Sequence, residues 1–207
     1  MSDQPLPWPK TVALAITGAS GAQYGLRLLE CLLGAGVRVY LMVSQAGQVV
    51  LKMEAGIEVP AQPADAERYF AGRFQAQPGQ LRVFGRQQWT APVASGSNPP
   101  DAMVVCPCTT GTLATIASGM SQDLIDRAAD VALKEGRKLI LVIRETPFTA
   151  IHLENMLRLA RAGAVIMPAN PGFYLNPAGV DDIVDFMVAR ILDHLGVRHD
   201  LLRRWGE

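Results

Sequence analysis

What most restricts the fold of this chain is an alternation along it, in which short apolar, often β-branched runs are separated by longer segments of helical period. The runs are 11–17 (TVALAIT), 37–43 (VRVYLMV), 102–106 (AMVVC), 138–143 (KLILVI) and 164–167 (AVIM). Each is apolar almost throughout, which predicts strands covered on both faces rather than strands with a wet side. Helices are expected at about 21–35, 45–55, 110–119, 123–136, 149–162 and 180–195, the first with Tyr24, Leu28, Cys31 and Leu32 on one face. Strands that alternate with helices make a parallel sheet between two helical layers, an α/β architecture. Residues 60–100, rich in Pro, Gly and Ser and ending in ASGSNPP, break the rhythm and read as an elaborated connection. Trp89 lies within that connection, either as a local anchor or as part of a site wall.

The 207 residues, 49 % apolar and 18 % charged, suit a single domain, 1–207, with a flexible N-terminus over 1–10. Nineteen basic side chains balance nineteen acidic ones, so the electrostatic footprint of a general nucleic-acid binder is missing. Cys31, Cys106 and Cys108 are odd in number, which argues against a disulfide framework. They lie far in sequence from His152, His194 and His199, and no metal site is expected. The opening MSDQPLPWPK has no signal pattern, and no apolar run reaches the ~18 residues of a membrane span, so a cytoplasmic protein is expected. The tail, 197–207, carries Leu201, Leu202 and Trp205, which need cover that a neighbouring subunit would supply.

Three turns at strand ends hold the candidate chemistry. TGASGAQYG places Gly18, Gly21 and Gly25 between the first strand and the first helix, where backbone N–H groups receive a phosphate or a flat ligand. It is not the G-x-G-x-x-G of dinucleotide folds, and the second strand ends in Ser44 rather than an acid for a ribose. Ser20 reads equally as the helix cap or as a ligand contact. CPCTTGTLA sets Thr109, Thr110 and Thr112 about Gly111 at a second helix start, as caps or as donors to an anion. RETPF brings Arg144 and Glu145 off a strand together, as an ion pair or cap, or as an anion clamp beside an acid/base. Arg127 and Lys134 share one helical face, and Glu54 and Tyr174 have ordinary surface readings. The residues alone support an α/β protein that binds a phosphorylated planar ligand.

The combination TGASGAQYG, CPCTTGTLA, RAADVALKE, V-x-RE-x-P, HLENM, P-x-FY and RWGE, in this order across 11–207, resembles the UbiX flavin prenyltransferases. These belong to the wider family of homo-oligomeric flavin-containing Cys decarboxylases. The resemblance implies a Rossmann-like (flavodoxin-like) three-layer fold and a metal-independent reaction of reduced FMN with dimethylallyl phosphate. Its products would be prenylated FMN, a cofactor for UbiD-type decarboxylases, and phosphate, the prenyl group being joined to N5 and C6 of the flavin. It implies FMN contacts at Gly18, Ala19, Ser20, Ser44, Thr109, Thr110, Gly111, Thr112 and Arg144. Dimethylallyl phosphate would meet Tyr174 and Arg190, with Glu54, Arg127 and Lys134 completing its phosphate site. Glu145 would move protons, Ser20 would act near N5, and Trp89 and Trp205 would shelter the allyl group. A homododecamer is expected. Two alternatives are an FMN-dependent decarboxylase of cysteine-containing substrates, which would rely on an early histidine where this chain's first is His152, and a non-catalytic flavin-binding partner.

Overall fold

A computed structural model describes residues 10–203 and Gly206; the expectations for residues 1–9 and for Trp205 lie outside the described residues. The elements in chain order are β1 (Thr11–Ile16), α1 (Ala22–Gly34), β2 (Arg38–Val43), α2 (Gln45–Ala55), α3 (Pro63–Arg73), β3 (Leu81–Phe84) and β4 (Ala102–Cys108). There follow α4 (Thr110–Ala117), α5 (Leu124–Lys134), β5 (Lys138–Ile143), α6 (Ala150–Arg161), β6 (Val165–Pro168) and α7 (Val180–Leu195). The six strands pair in the order β3-β2-β1-β4-β5-β6, every pair parallel. This is the expected Rossmann-like three-layer arrangement, and the order reverses between β1 and β4.

Side-chain alternation along the strands sorts the core onto two faces. Val12, Leu14, Ile16, Val104 and Cys106 face α1 and α7, where Leu28, Leu32, Val188 and Ile191 meet them. Ala13, Ala15, Met103, Val105 and Leu141 face α4, α5 and α6, against Leu113, Ala129 and Leu159. Leu14 has no exposed surface, and truncating such a side chain to Ala costs about 2–5 kcal/mol. The buried stripe of α1 runs through Ala22, Gly25, Leu28, Leu29, Leu32 and Leu33. Tyr24 and Cys31, expected on that stripe, pack at its margin.

The stretch 60–100 is more structured than its composition suggests. Pro63 starts α3 at a position where its missing N–H costs nothing. The four residues of β3 then add an edge strand to β2, with Val39 opposite Leu81. Only Arg82 of this strand is exposed, so a run too short to show a period is fixed by its neighbour rather than by its own pattern. No helix among the described residues is long and apolar enough to cross a membrane.

Candidate active site

In an open parallel sheet the ligand crevice opens beyond the carboxyl ends of the strands, where the strand order reverses. Here that point lies between the turns after β1 and β4, and a buried side chain joins them. The Thr17 hydroxyl donates to the Pro107 carbonyl at 2.7 Å and accepts from the Thr109 N–H at 2.9 Å.

The first turn does not end as its sequence suggests. Ser20 is exposed and is not the cap of α1; Gly21 is, at φ 108°, a conformation that a side chain would strain. The cap contributes no side chain, and the two N–H groups of Gly21 and Ala22 donate instead to one Glu54 oxygen, each at 2.9 Å. Glu54 reaches them because α2 runs back across the turn: an added Cβ at Gly18 would lie 2.4 Å from that of Ala46, and one at Gly47 would lie 2.5 Å from the Ile16 carbonyl oxygen. Partial burial pushes the Glu54 carboxyl up. Hydrogen bonds from Ser20, Ala22 and Gly21, with the Arg144 charge nearby, outweigh that and hold it below its ordinary value.

The other two helix starts are capped by hydroxyls. Ser44 Oγ accepts from the Gly47 N–H at 3.0 Å, and Thr109 Oγ1 accepts from the Thr112 N–H at 3.0 Å. Between them lies a cavity of about 500 Å³ lined by Thr17, Gly18, Ser44, Gln45, Ala46, Val49, Arg86, Thr109, Thr112 and Asp123. On its far side, the Thr110 hydroxyl lies 3.4 Å from Glu145 Oε2, and Glu145 Oε1 accepts from the Thr146 N–H at 3.1 Å. Arg144 leaves β5 beside it, its Nε buried and without a hydrogen-bond partner.

Thus Gly18, Ala19, Ser20, Ser44, Glu54, Thr109, Thr110, Gly111, Thr112, Arg144 and Glu145 all gather at one edge of the sheet. The remaining charged candidates do not join them within one chain. Arg127 on α5 donates to the Ala94 carbonyl at 3.0 Å and pairs with Asp130. Lys134 ends α5, paired with Glu135, at the opposite edge of the sheet, about 20 Å from Glu145 by the length of β5. Arg190 on α7 pairs with Asp193 at 2.7 Å. Tyr174 lies in the 169–179 loop with its ring 5.8 Å from that of Phe186, and Trp89 is 46 % exposed after β3.

Four residues at the crevice escape sequence reasoning: Thr17, Arg86, Asp123 and Asp126. Asp123 is legible in retrospect as the cap of α5, accepting from Ile125 and Asp126. Asp126 is buried behind it; burial first, then the Asp123 charge, pushes its carboxyl up to about 6. A groove of about 560 Å³ on the α1/α7 side is less suited to a ligand, because its Arg27 is already committed to Asp185 and Glu30.

Comparison with known proteins agrees with this geometry. The flavoprotein family model matches residues 6–192. A Pseudomonas aeruginosa protein named flavin prenyltransferase UbiX is 55 % identical over 199 residues, covering 96 % of this chain and 95 % of that one. A solved UbiX (PadA1) structure in complex with FMN and dimethylallyl pyrophosphate is 39 % identical with TM-score 0.83, covering 96 % of this chain and 98 % of that one. A dodecameric FMN-dependent UbiX-like protein of Escherichia coli O157:H7, described as a decarboxylase, is 40 % identical with TM-score 0.82, over 95 % of this chain and 100 % of that one. With a sheet-edge crevice of the right kind and likeness over nearly its whole length, the chain belongs to the UbiX flavin prenyltransferases, within the flavoprotein family.

Proposed function

We propose that this chain transfers a dimethylallyl group from dimethylallyl phosphate to N5 and C6 of reduced FMN, giving prenylated FMN and phosphate. The observation that carries this reading is the convergence of Arg144, Glu145, Thr110 and the Ser20–Glu54 pair on one crevice, in a chain of this family. Bound FMN supplies the nucleophilic N5 and C6, and the protein supplies position, charge and proton traffic.

The residues fit such a ligand. The starts of α2 and α4, with Ser44, Thr109 and Thr112, offer N–H groups and hydroxyls to a phosphate. Arg144 has an uncommitted buried donor to offer the ring. In this reading Glu145 takes and returns a proton, which its hydrogen bonds from Thr110 and Thr146 at the crevice support. Ser20 and Glu54 form a second hydrogen-bonded pair beside Gly21 for protons near N5.

Allylic phosphate leaves readily only when its charge is matched by groups already in place. Arg127, Lys134, Arg190 and Tyr174 are the residues for that task. Because they lie off the crevice of their own chain, the reading includes neighbouring copies that complete it, in a homododecamer. Trp89 and the 197–207 tail with Trp205 then serve as aromatic walls at the boundaries between copies. The chain acts as one flavin-binding domain, in the cytoplasm, and its product goes to a UbiD-type decarboxylase. The cysteine-decarboxylase alternative is weaker: His152, the first histidine, is spent capping α6 through its Nδ1.

The test is anaerobic incubation with reduced FMN and either dimethylallyl phosphate or the pyrophosphate, read by mass spectrometry. A flavin heavier by one prenyl unit is expected. Unmodified FMN from both donors, with protein that binds FMN, would overturn the assignment.

A further inference from the structure

Arg86 follows β3, outside every motif that pointed to the site. Its carbonyl accepts from the Leu124 N–H at 2.8 Å, which ties its backbone to the start of α5. Its guanidinium spans the cavity rim: Nη1 lies 3.4 Å from Gln45 Oε1 at the start of α2, and Nε lies 3.4 Å from Asp123 Oδ2 at the start of α5. Both contacts are at the long limit of hydrogen bonding, and a guanidinium has five N–H donors, so most of its capacity is uncommitted. It is the one basic residue among those lining this cavity. Of the hydroxyls there, Ser44 Oγ accepts from the Gly47 N–H, and Thr109 Oγ1 accepts from the Thr112 N–H and donates to Thr112 Oγ1; the Ser44 and Thr112 protons stay available to an anion but carry no charge to match it.

Resting on the flavin reading above, we infer that Arg86 is the side chain that clamps the phosphate end of FMN in this chain and makes the site prefer FMN to unphosphorylated flavin. Charge decides the point. Three helix starts meet at the cavity, α2, α4 and α5, each contributing about half a positive charge. Asp123 removes one unit, leaving about half a charge to face a phosphate of about −1.5 to −2. Arg86 raises this to about one and a half, close to what the phosphate carries. Its fork geometry suits two phosphate oxygens at once, and Gln45 and Asp123 hold it at the rim without saturating it.

The test measures affinity, not turnover. The intact protein, its Arg86→Gln variant and its Arg86→Lys variant are titrated with oxidised FMN and with riboflavin, following flavin fluorescence at low and at raised salt. Arg86→Gln is expected to weaken FMN about tenfold, equivalent to ~1.4 kcal/mol, and to leave riboflavin unchanged. Arg86→Lys should recover part of the loss, and the salt dependence of FMN binding should flatten in Arg86→Gln. Thermal melts establish that the variants fold. An equal loss for both flavins, or no loss for FMN with an unchanged salt dependence, overturns the role of Arg86 while leaving the flavin site standing. Wild-type protein that binds neither flavin removes the flavin reading and this inference with it.

Discussion

At the start of α1, the N–H groups of Gly21 and Ala22 are both spent on the Glu54 carboxylate, whereas the starts of α2 and α4 are capped only by a hydroxyl each and open onto the cavity. All three helix ends lie at the same sheet edge and carry the same dipole sign, so any of them suits an anion equally well in principle. The protein fills one from within and leaves two. The glycine turn therefore does not serve here as it does in dinucleotide folds, where the first helix receives the pyrophosphate. An internal carboxylate has taken the seat, and the helix starts left open to an anion are those one turn along the sheet, at α2 and α4.

The sharpest way to break this contrast lies on the open side. Glu145→Gln is expected to keep FMN binding and lower turnover by about 10²–10⁴-fold, measured by prenylated product in single turnover. Product formed at the wild-type rate would separate the Glu145 wall from the chemistry.

Next in size is Asp126, behind the cavity's acid rim. Its carboxyl titrates near 6 in the folded chain, above its ordinary value. Between about pH 4 and 6 the folded state therefore holds more protons than the unfolded one, and this group's contribution to stability is lost as the pH rises through that window. Asp126→Asn keeps an acceptor for Gln122 and should stabilise the protein by about 2 kcal/mol at pH 7, with no gain below about pH 4. Denaturation curves at the two pH values check this, and a pH-independent difference would contradict it.

Emptying the filled helix end tests the other half of the comparison. Glu54→Ala should cost about 1 kcal/mol, the worth of a cap, and should make the variant respond more strongly than wild type to added inorganic phosphate in thermal melts. Equal responses would mean that Glu54 does not hold that seat in solution. The smallest effect is expected at Ser44→Gly, a few tenths of a kcal/mol in stability, since glycine is tolerated as a cap. A loss well beyond that would give the Ser44 hydroxyl a structural part larger than its bond to Gly47.

Much of this was legible in the residues. The strands β1, β2, β4 and β5, buried nearly throughout, announced themselves by unbroken apolarity, and the three site turns by small and hydroxyl residues at their ends; β6, equally apolar in sequence, is an edge strand with only Met167 buried, so cover on both faces did not hold there. β3 and α3 did not, because four residues cannot display a period and Pro63, which suits a helix start, reads in sequence as a breaker. With β3 unseen, Arg86 had no strand end to belong to, and its place at the crevice was invisible. The cap reading of Ser20, one of two left open, followed from a local rule; Gly21 takes the position instead, and Glu54, thirty-three residues away, meets the N–H groups there. Lys134 and Glu145 are eleven residues apart in sequence yet stand at opposite ends of β5, a separation that motif spacing alone does not reveal.

The Thr17 hydroxyl, which ties the two central turns, has a further meaning for what the crevice can read. Its single proton is given to Pro107, and one lone pair is taken by Thr109. What remains to face a ligand is acceptor capacity alone. Thr17 itself thus has nothing to donate, and the donors that an anion can meet in this cavity are those of the α2 and α4 starts and of Arg86.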